Sequence, residues 1–259
     1  MIYNRPVFLS YSRFCTRALT LLVGTAVFSQ TASQAPAPQN TPRSTDPTLV
    51  TCGDKPPFSS RTVKSDLLIA PDGKHRAYAE MEATALQPQR APGYTGPLCI
   101  NNSRLFVSAD SADFKLTFLQ EPADVETGNF LRPVDWSADG RRLLAELSEW
   151  QYEQPGANHS VLIYDSRYGT FQQPEFAHLL AKLYGHECAF NFHALGFSSQ
   201  GTIALEAQPL TPEEEEVFGL SSCARKKTYF EMDRATENLV SVPEMPKLQH
   251  NGRTETGKP

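Results

Sequence analysis

The chain has 259 residues, of which 40% are hydrophobic, with 24 basic and 29 acidic residues and a formal net charge of −5. This acidic balance argues against binding to nucleic acid, because phosphate backbones are bound by clustered Lys and Arg. Arg225-Lys226-Lys227 is the basic cluster of note. Three cations beside a strand are ordinarily a solvated edge, so we expect no nucleic acid partner.

The first 35 residues have the pattern of a secretory signal peptide. Three arginines precede an apolar stretch over residues 18–28, and small and polar residues follow as far as Ala35. This stretch is too short to span a bilayer, and the small-x-small ending suits signal peptidase. We therefore expect a secreted or periplasmic protein, with a net charge near −5 − 3 = −8 and no stable membrane span after signal removal. The alternative is an uncleaved membrane anchor.

Composition divides the rest of the chain into three parts. Residues 36–48 are rich in Pro and polar residues, which is typical of a disordered linker. Residues 49–246 are long enough to bury a sizeable core and are predicted to form one domain. Residues 247–259 have almost no apolar side chains and are predicted to be a disordered tail.

A turn motif, small residue-x-Asp-Gly, recurs within this domain. It occurs as Ala70-Pro71-Asp72-Gly73, as Ser137-Ala138-Asp139-Gly140 and, in decayed form, as Ser198-Ser199-Gln200-Gly201. Each copy follows a large apolar residue and precedes a β-prone run. In such turns Asp bonds the local backbone and Gly accepts a left-handed conformation. Repetition of one such unit predicts a repeat architecture.

Aligned on this turn, each of the three units contains four short runs rich in branched and aromatic residues, which are strand signals. Four antiparallel strands per unit is the construction of a propeller blade. The predicted strands are 63–69, 76–81, 104–107 and 114–119 in the first unit, 130–136, 142–147, 161–164 and 170–172 in the second, and 190–197, 202–207, 228–232 and 237–242 in the third.

The segment near 174–185 interrupts this succession of predicted strands. Phe176, Leu179, Leu180 and Leu183 follow the i, i+3, i+4, i+7 spacing of an amphipathic helix, with Pro at the start and Gly at the end. We predict an inserted helix there. It packs on a blade or, alternatively, binds a partner.

The segments Ile69–Tyr78 and Trp136–Ala145 resemble the TolB-type (WD-repeat-like) β-propeller repeat, which also occurs in the propeller domains of prolyl oligopeptidase-like enzymes. The similarity extends over residues 60–243. It implies a secreted or periplasmic binding or scaffold protein with a docking surface for a protein or cell-envelope ligand. The chain departs from the family in having three recognisable units, whereas closed propellers typically have four to eight blades. It also has no second domain for a hydrolase site.

We therefore predict an all-β fold of three four-stranded antiparallel blade-like repeats, forming a partial or oligomer-completed β-propeller. Open sheet edges are a liability for a soluble monomer. A homodimer that closes a ring would remove them. The alternatives are a partial propeller capped by insertions and a different β architecture such as a sandwich.

Four cysteines follow the signal: Cys52, Cys99, Cys188 and Cys223. An even count in an exported protein predicts two disulfides. Cys99 and Cys223 each lie seven residues before an aromatic residue, so both enter the same strand of their units, and the other two lie upstream of the turn. We predict the pairs Cys52–Cys99 and Cys188–Cys223. Reactive or metal-binding thiols are the alternative.

The sequence contains no motif that specifies catalysis. It has neither a Gly-x-Ser-x-Gly nucleophile elbow nor a phosphate-binding Gly loop. The group His178, His186, Glu187 and His193 fits no zinc spacing, so we expect no metal and no cofactor. The acidic run 213–216 lacks the ligand spacing of a calcium loop and, after Thr211-Pro212, indicates a capped helix.

Long loops over residues 84–98, 148–159 and 208–222 occupy the same place in every unit. Their aromatic residues Tyr94, Trp150, Tyr152 and Phe218 would gather on one side if the units stack as blades. These residues form a docking rim or, alternatively, pin the loops to the blades. We predict a secreted, non-catalytic binding or scaffold protein. The alternative is a small secreted hydrolase or carbohydrate-binding protein that uses this long-loop face.

Overall fold

The computed structural model describes residues 60–86, 98–110, 113–122, 127–151, 157–233 and 238–256. These residues form strands β1–β14 and helices α1 and α2. The predicted signal and linker, Cys52, Tyr94 and Tyr152 lie outside these ranges, as does the side chain of Cys99.

The strands form one six-stranded and two four-stranded antiparallel sheets. The first sheet has the order β14-β2-β3-β4-β5, and β1 also pairs with β3. Its strands are β1 Arg61–Lys64, β2 Leu67–Ile69, β3 Arg76–Leu86, β4 Leu98–Ser108, β5 Lys115–Gln120 and β14 Arg253–Glu255.

The other two sheets each follow chain order, which is the arrangement of successive hairpins. The second sheet consists of β6 Thr127–Trp136, β7 Arg142–Gln151, β8 Asn158–Asp165 and β9 Thr170–Gln172. The third sheet consists of β10 Asn191–Phe197, β11 Ile203–Gln208, β12 Thr228–Asp233 and β13 Asn238–Val242. The prediction of an all-β fold with three four-stranded antiparallel units is confirmed, except that β1 and β14 extend the first unit to six strands.

The repeated turn has the same geometry in all three units. Gly73, Gly140 and Gly201 have φ angles of +69°, +68° and +81°, a region that glycine enters without steric cost. In each case the glycine N–H donates to the carbonyl oxygen of the residue three positions earlier, at 2.8–2.9 Å. The decayed third copy therefore keeps the backbone conformation of the first two.

Both helices lie in connections between strands. Helix α1, Phe176–Tyr184, is the predicted insertion, and it ends at Gly185 in a left-handed conformation. Helix α2, Pro212–Phe218, follows β11 and carries the predicted cap at Thr211. Neither described helix is long and apolar enough to cross a membrane.

The core lies between neighbouring sheets. On β7, Leu143, Ala145 and Leu147 belong to the cluster shared with the first sheet, whereas Leu144 belongs to the cluster shared with the third. Successive strand side chains point to opposite faces, so β7 is apolar on both faces because both are covered. Trp136 is fully buried, and its indole N–H donates to the Leu68 carbonyl at 3.2 Å.

A disulfide joins Cys188, just before β10, to Cys223, just before β12. The prediction for this pair is confirmed. Backbone hydrogen bonds link the same two segments, with Ala189 donating to the Ser221 carbonyl at 3.0 Å and Cys223 to the Ala189 carbonyl at 3.1 Å. The predicted Cys52–Cys99 pair lies outside the described residues.

The end of the chain differs from the disordered tail expected from residue 247. The Gln249 N–H donates to the Phe197 carbonyl at 2.9 Å, and the Gly252 N–H donates to Asp135 Oδ1 at 2.8 Å. The next residues form β14 on β2. The segment is held through its backbone and has few apolar side chains, which is why composition indicates disorder there.

Candidate functional site

One end of the second and third sheets carries the connections from β7 to β8 and from β11 to β12. We call it the long-connection end. The predicted loop 148–159 is shorter than expected, because β7 extends to Gln151 and β8 begins at Asn158. Helix α2 lies in the connection from β11 to β12. Asn191, the first residue of β10, donates from its side-chain amide to Glu214 Oε1 at 2.9 Å. This bond fixes α2 beside the start of β10.

Of the predicted aromatic residues, Trp150 and Phe218 lie in the described part of the chain, and they differ in burial. Trp150 is partly buried against a small cluster that includes Met81, Ala83 and Phe130, and its indole lies where a side chain on Gly128 would have to be. Phe218 on α2 is 42% exposed. Trp150 therefore pins the end of β7 to the first sheet, and Phe218 faces solvent.

A cluster of three polar side chains lies at the same end: Glu146 on β7, His159 on β8 and His193 on β10. One nitrogen from each imidazole and one carboxylate oxygen all lie within 4.8 Å of one another. The two Nδ1 atoms lie 3.4 Å (His159) and 3.3 Å (His193) from the same oxygen, Glu146 Oε1. The two imidazole centroids are 4.2 Å apart. Three strands of two sheets thus converge on one carboxylate oxygen.

The fold places this carboxylate by strand alternation. Glu146 follows Leu144 on the face of β7 that is turned toward the third sheet. It is only 4% exposed, and its second oxygen, Oε2, accepts hydrogen bonds from the Ala194 N–H at 2.8 Å and from Arg132 at 3.2 Å. A buried carboxylate requires such partners.

The electrostatics favour the ionised carboxylate. Burial alone would raise the pKa of Glu146, but hydrogen bonds from His159 and His193, the charge of Arg132 and the Ala194 N–H outweigh it. Together they hold the pKa well below its usual 4.5. The site therefore presents a negative charge to the two imidazoles.

The imidazoles are oriented and remain accessible. His159 lies opposite Ser148 in the ladder, and its Nδ1 lies 2.9 Å from the Ser148 hydroxyl oxygen. The side chains of His159 and His193 are 17% and 28% exposed. A solute can thus reach the two rings, whereas the carboxylate lies beneath them.

The histidines that are close together in the sequence are not the ones that form this cluster. Of His178, His186 and His193, only His193 belongs to the cluster. His178 is exposed on α1, and His186 is exposed beside Tyr184. The sequence does contain one indication of the cluster. Glu146 interrupts the apolar run of a buried strand, and a buried acid needs hydrogen-bonding or charged partners from elsewhere in the fold.

A second buried carboxylate, Asp135 on β6, has a structural role. It is 2% exposed and accepts hydrogen bonds from the backbone N–H groups of Trp136, Asn251 and Gly252. Burial raises the pKa of Asp135 above its usual 3.8, although these hydrogen bonds oppose the shift. Asp135 thus fastens the C-terminal segment to the second sheet.

The opposite end of the second sheet has a shallow cleft that contains the ion pair of Arg167 with Asp165. Arg167 donates two hydrogen bonds to the Asp165 carboxylate, at 3.0 and 2.6 Å. Tyr168, in the same turn, is 70% exposed. This end presents an aromatic residue, and among the residues that the structure describes it has no cluster like that around Glu146.

No family model matches the chain, and no curated protein is similar to it in sequence. The function is therefore inferred from the sequence and the geometry of this chain.

Proposed function

We propose that this protein is an exported, non-catalytic binding or scaffold protein, built from TolB-type propeller repeats, that docks a protein or cell-envelope ligand at its long-connection end. The observation that carries the proposal is the surface of α2. Its adjacent residues Val217 and Phe218 are 57% and 42% exposed, beside the start of β10. Aromatic residues such as Phe are enriched in binding surfaces, and the exposed Val217 extends the apolar surface next to Phe218.

The fold holds α2 in place, so these side chains are presented from a rigid support. Thr211 and Glu214 form a capping box, and the Glu214 side chain is also bonded to Asn191. The Ser222 N–H donates to Glu215 Oε1 at 2.7 Å, which ties down the other side of the helix. A preorganised surface loses little conformational entropy on binding.

Export and the absence of catalysis rest on the sequence. The signal-like first 35 residues and the even number of cysteines after them favour an oxidising compartment. The Cys188–Cys223 disulfide agrees with that compartment. The chain has no nucleophile-elbow motif.

The test compares variants at the two ends of the sheets. Mature protein is immobilised and exposed to a detergent extract of its host's cell envelopes, and retained material is quantified. Val217→Asp/Phe218→Asp should lose most of the retained ligand. Tyr168→Asp, which replaces one exposed aromatic residue at the opposite end, should retain it. Melting curves check that all three proteins are folded.

Equal loss in both variants, or no loss in either, would contradict docking at α2. A glycan array and a broad hydrolase panel test the alternative function. Turnover of any substrate by the wild-type protein would overturn the non-catalytic assignment.

A further inference from the structure

We propose that Glu146, His159 and His193 form a binding site for one divalent transition-metal ion of the Zn²⁺ type. The proposal is independent of docking at α2 and concerns different residues. It rests on the donor set, the interatomic distances, the support of the carboxylate and access from solvent.

The distances are compatible with ligands of a common ion, with the two imidazole nitrogens and the carboxylate oxygen all within 4.8 Å of one another. Such an ion would replace the long hydrogen bond from His193 to Glu146 and the 2.9 Å contact between His159 Nδ1 and the Ser148 hydroxyl. The two Nδ1 atoms lie 3.3 and 3.4 Å from Glu146 Oε1. Hydrogen bonds between a charged nitrogen donor and a carboxylate are ordinarily about 2.7–2.9 Å. Two zinc bonds of about 2.0–2.1 Å at the tetrahedral angle separate their ligand atoms by roughly 3.3–3.4 Å.

The donor set selects the class of ion. Two imidazole nitrogens and one carboxylate oxygen suit Zn²⁺ and neighbouring first-row divalent ions. Ca²⁺ and Mg²⁺ instead prefer sites made of oxygen atoms. Three protein ligands leave a fourth tetrahedral position, which a water molecule or a group from a bound ligand can occupy.

The surrounding groups act on the oxygen that faces away from the imidazoles. Arg132 and the Ala194 N–H both bind Oε2, which orients the carboxylate and leaves Oε1 directed at His159 and His193. Metal ligands are commonly oriented by such outer hydrogen bonds. The guanidinium therefore supports the proposed ligand from its other oxygen, while the partly exposed imidazoles provide an entry path.

The site can be tested on the purified mature chain, stripped with a chelator and titrated with Zn²⁺ by calorimetry and with Co²⁺ by visible absorption. We expect one ion per chain and the intense visible bands of four-coordinate Co²⁺. His159→Gln and His193→Gln should each weaken Zn²⁺ binding by more than the roughly 10–100-fold that follows loss of an outer-shell partner. His178→Gln, on the exposed face of α1, is the matched control and should bind as the wild type does.

His193→Gln is the safest variant for folding, because its side chain is the more exposed of the two. Zn²⁺ should raise the melting temperature of the wild type and of His178→Gln but not of His193→Gln. Absence of stoichiometric binding to the wild type would overturn the proposal, as would equal affinities in all four proteins. Val217→Asp/Phe218→Asp should still bind Zn²⁺, so failure of docking and failure of the metal site give different results.

Discussion

At the scale of single residues, two inward-facing carboxylates in the second sheet have opposite surroundings. Glu146 faces a guanidinium and two imidazoles, which lower its pKa despite burial. Asp135 is bonded by backbone N–H groups, and burial raises its pKa. Both interrupt apolar strands. Asp135 joins the C-terminal segment to the second sheet, whereas Glu146 lies beneath two accessible imidazoles.

Asp135→Ala should lower the free energy of unfolding by about 3 kcal/mol. The substitution removes the acceptor for the N–H groups of Trp136, Asn251 and Gly252, and each unpaired buried donor costs about 1–3 kcal/mol. Urea denaturation at neutral pH measures the change. Asp113→Ala, at an exposed position, is the control and should alter stability by less than about 0.5 kcal/mol.

The raised pKa of Asp135 also determines how its contribution to stability should change with pH. A carboxyl whose pKa is raised by folding binds protons more tightly in the native state, so its contribution to stability falls as pH rises from 3.8 through the raised value. Asparagine does not titrate. The stability of the wild type relative to Asp135→Asn should therefore decline as pH rises above 3.8, and a difference that grows instead would contradict the assigned burial.

At the scale of elements, α2 owes its position to local capping, to the contact of Glu214 with β10 and to the hydrogen bond from Ser222 to Glu215. The Glu214 N–H donates to Thr211 Oγ1 at 3.2 Å, and Glu214 Oε2 accepts from the Thr211 N–H at 2.8 Å. The helix spans only seven residues, which is too short to be stable by itself in water. Loss of the cap should therefore destabilise α2 and the surface that carries Val217 and Phe218.

Thr211→Ala should increase hydrogen exchange of the α2 amides by an amount equivalent to about 1 kcal/mol, the usual cost of removing an N-cap. Thr170→Ala, at the exposed start of β9, serves as the control and should leave exchange in α2 unchanged. Unaltered exchange in Thr211→Ala would show that packing alone holds the helix.

The elements that could be predicted from the sequence are those with a local pattern. Each of the twelve predicted strands has a counterpart, because alternation and the Asp-Gly turn act within a few residues, although the predicted strand 63–69 is divided into β1 and β2. Strand β14 was missed because its residues Arg253–Glu255 are all exposed and pair through the backbone. The Glu146 cluster was missed because Glu146 and His193 are 47 residues apart, and only the packing of two sheets brings them together.

At the scale of the whole domain, three sheets packed in chain order are joined by one C-terminal segment. This segment contacts Phe197 of the third sheet and Asp135 of the second before it pairs with β2 of the first. With the sheets fixed in this way, α2 and the Glu146 cluster lie at one end, and the paired charges around Arg167 lie at the other. We propose that the ligand binds at the end that carries α2.

Site-specific photo-crosslinking in the native compartment tests that assignment most directly. A benzophenone side chain is introduced at position 218, on α2, or at position 168, in the exposed turn at the opposite end. Irradiation should yield a discrete crosslinked product from position 218 and none from position 168. A product from position 168 alone, or the same product from both, would contradict binding at the long-connection end.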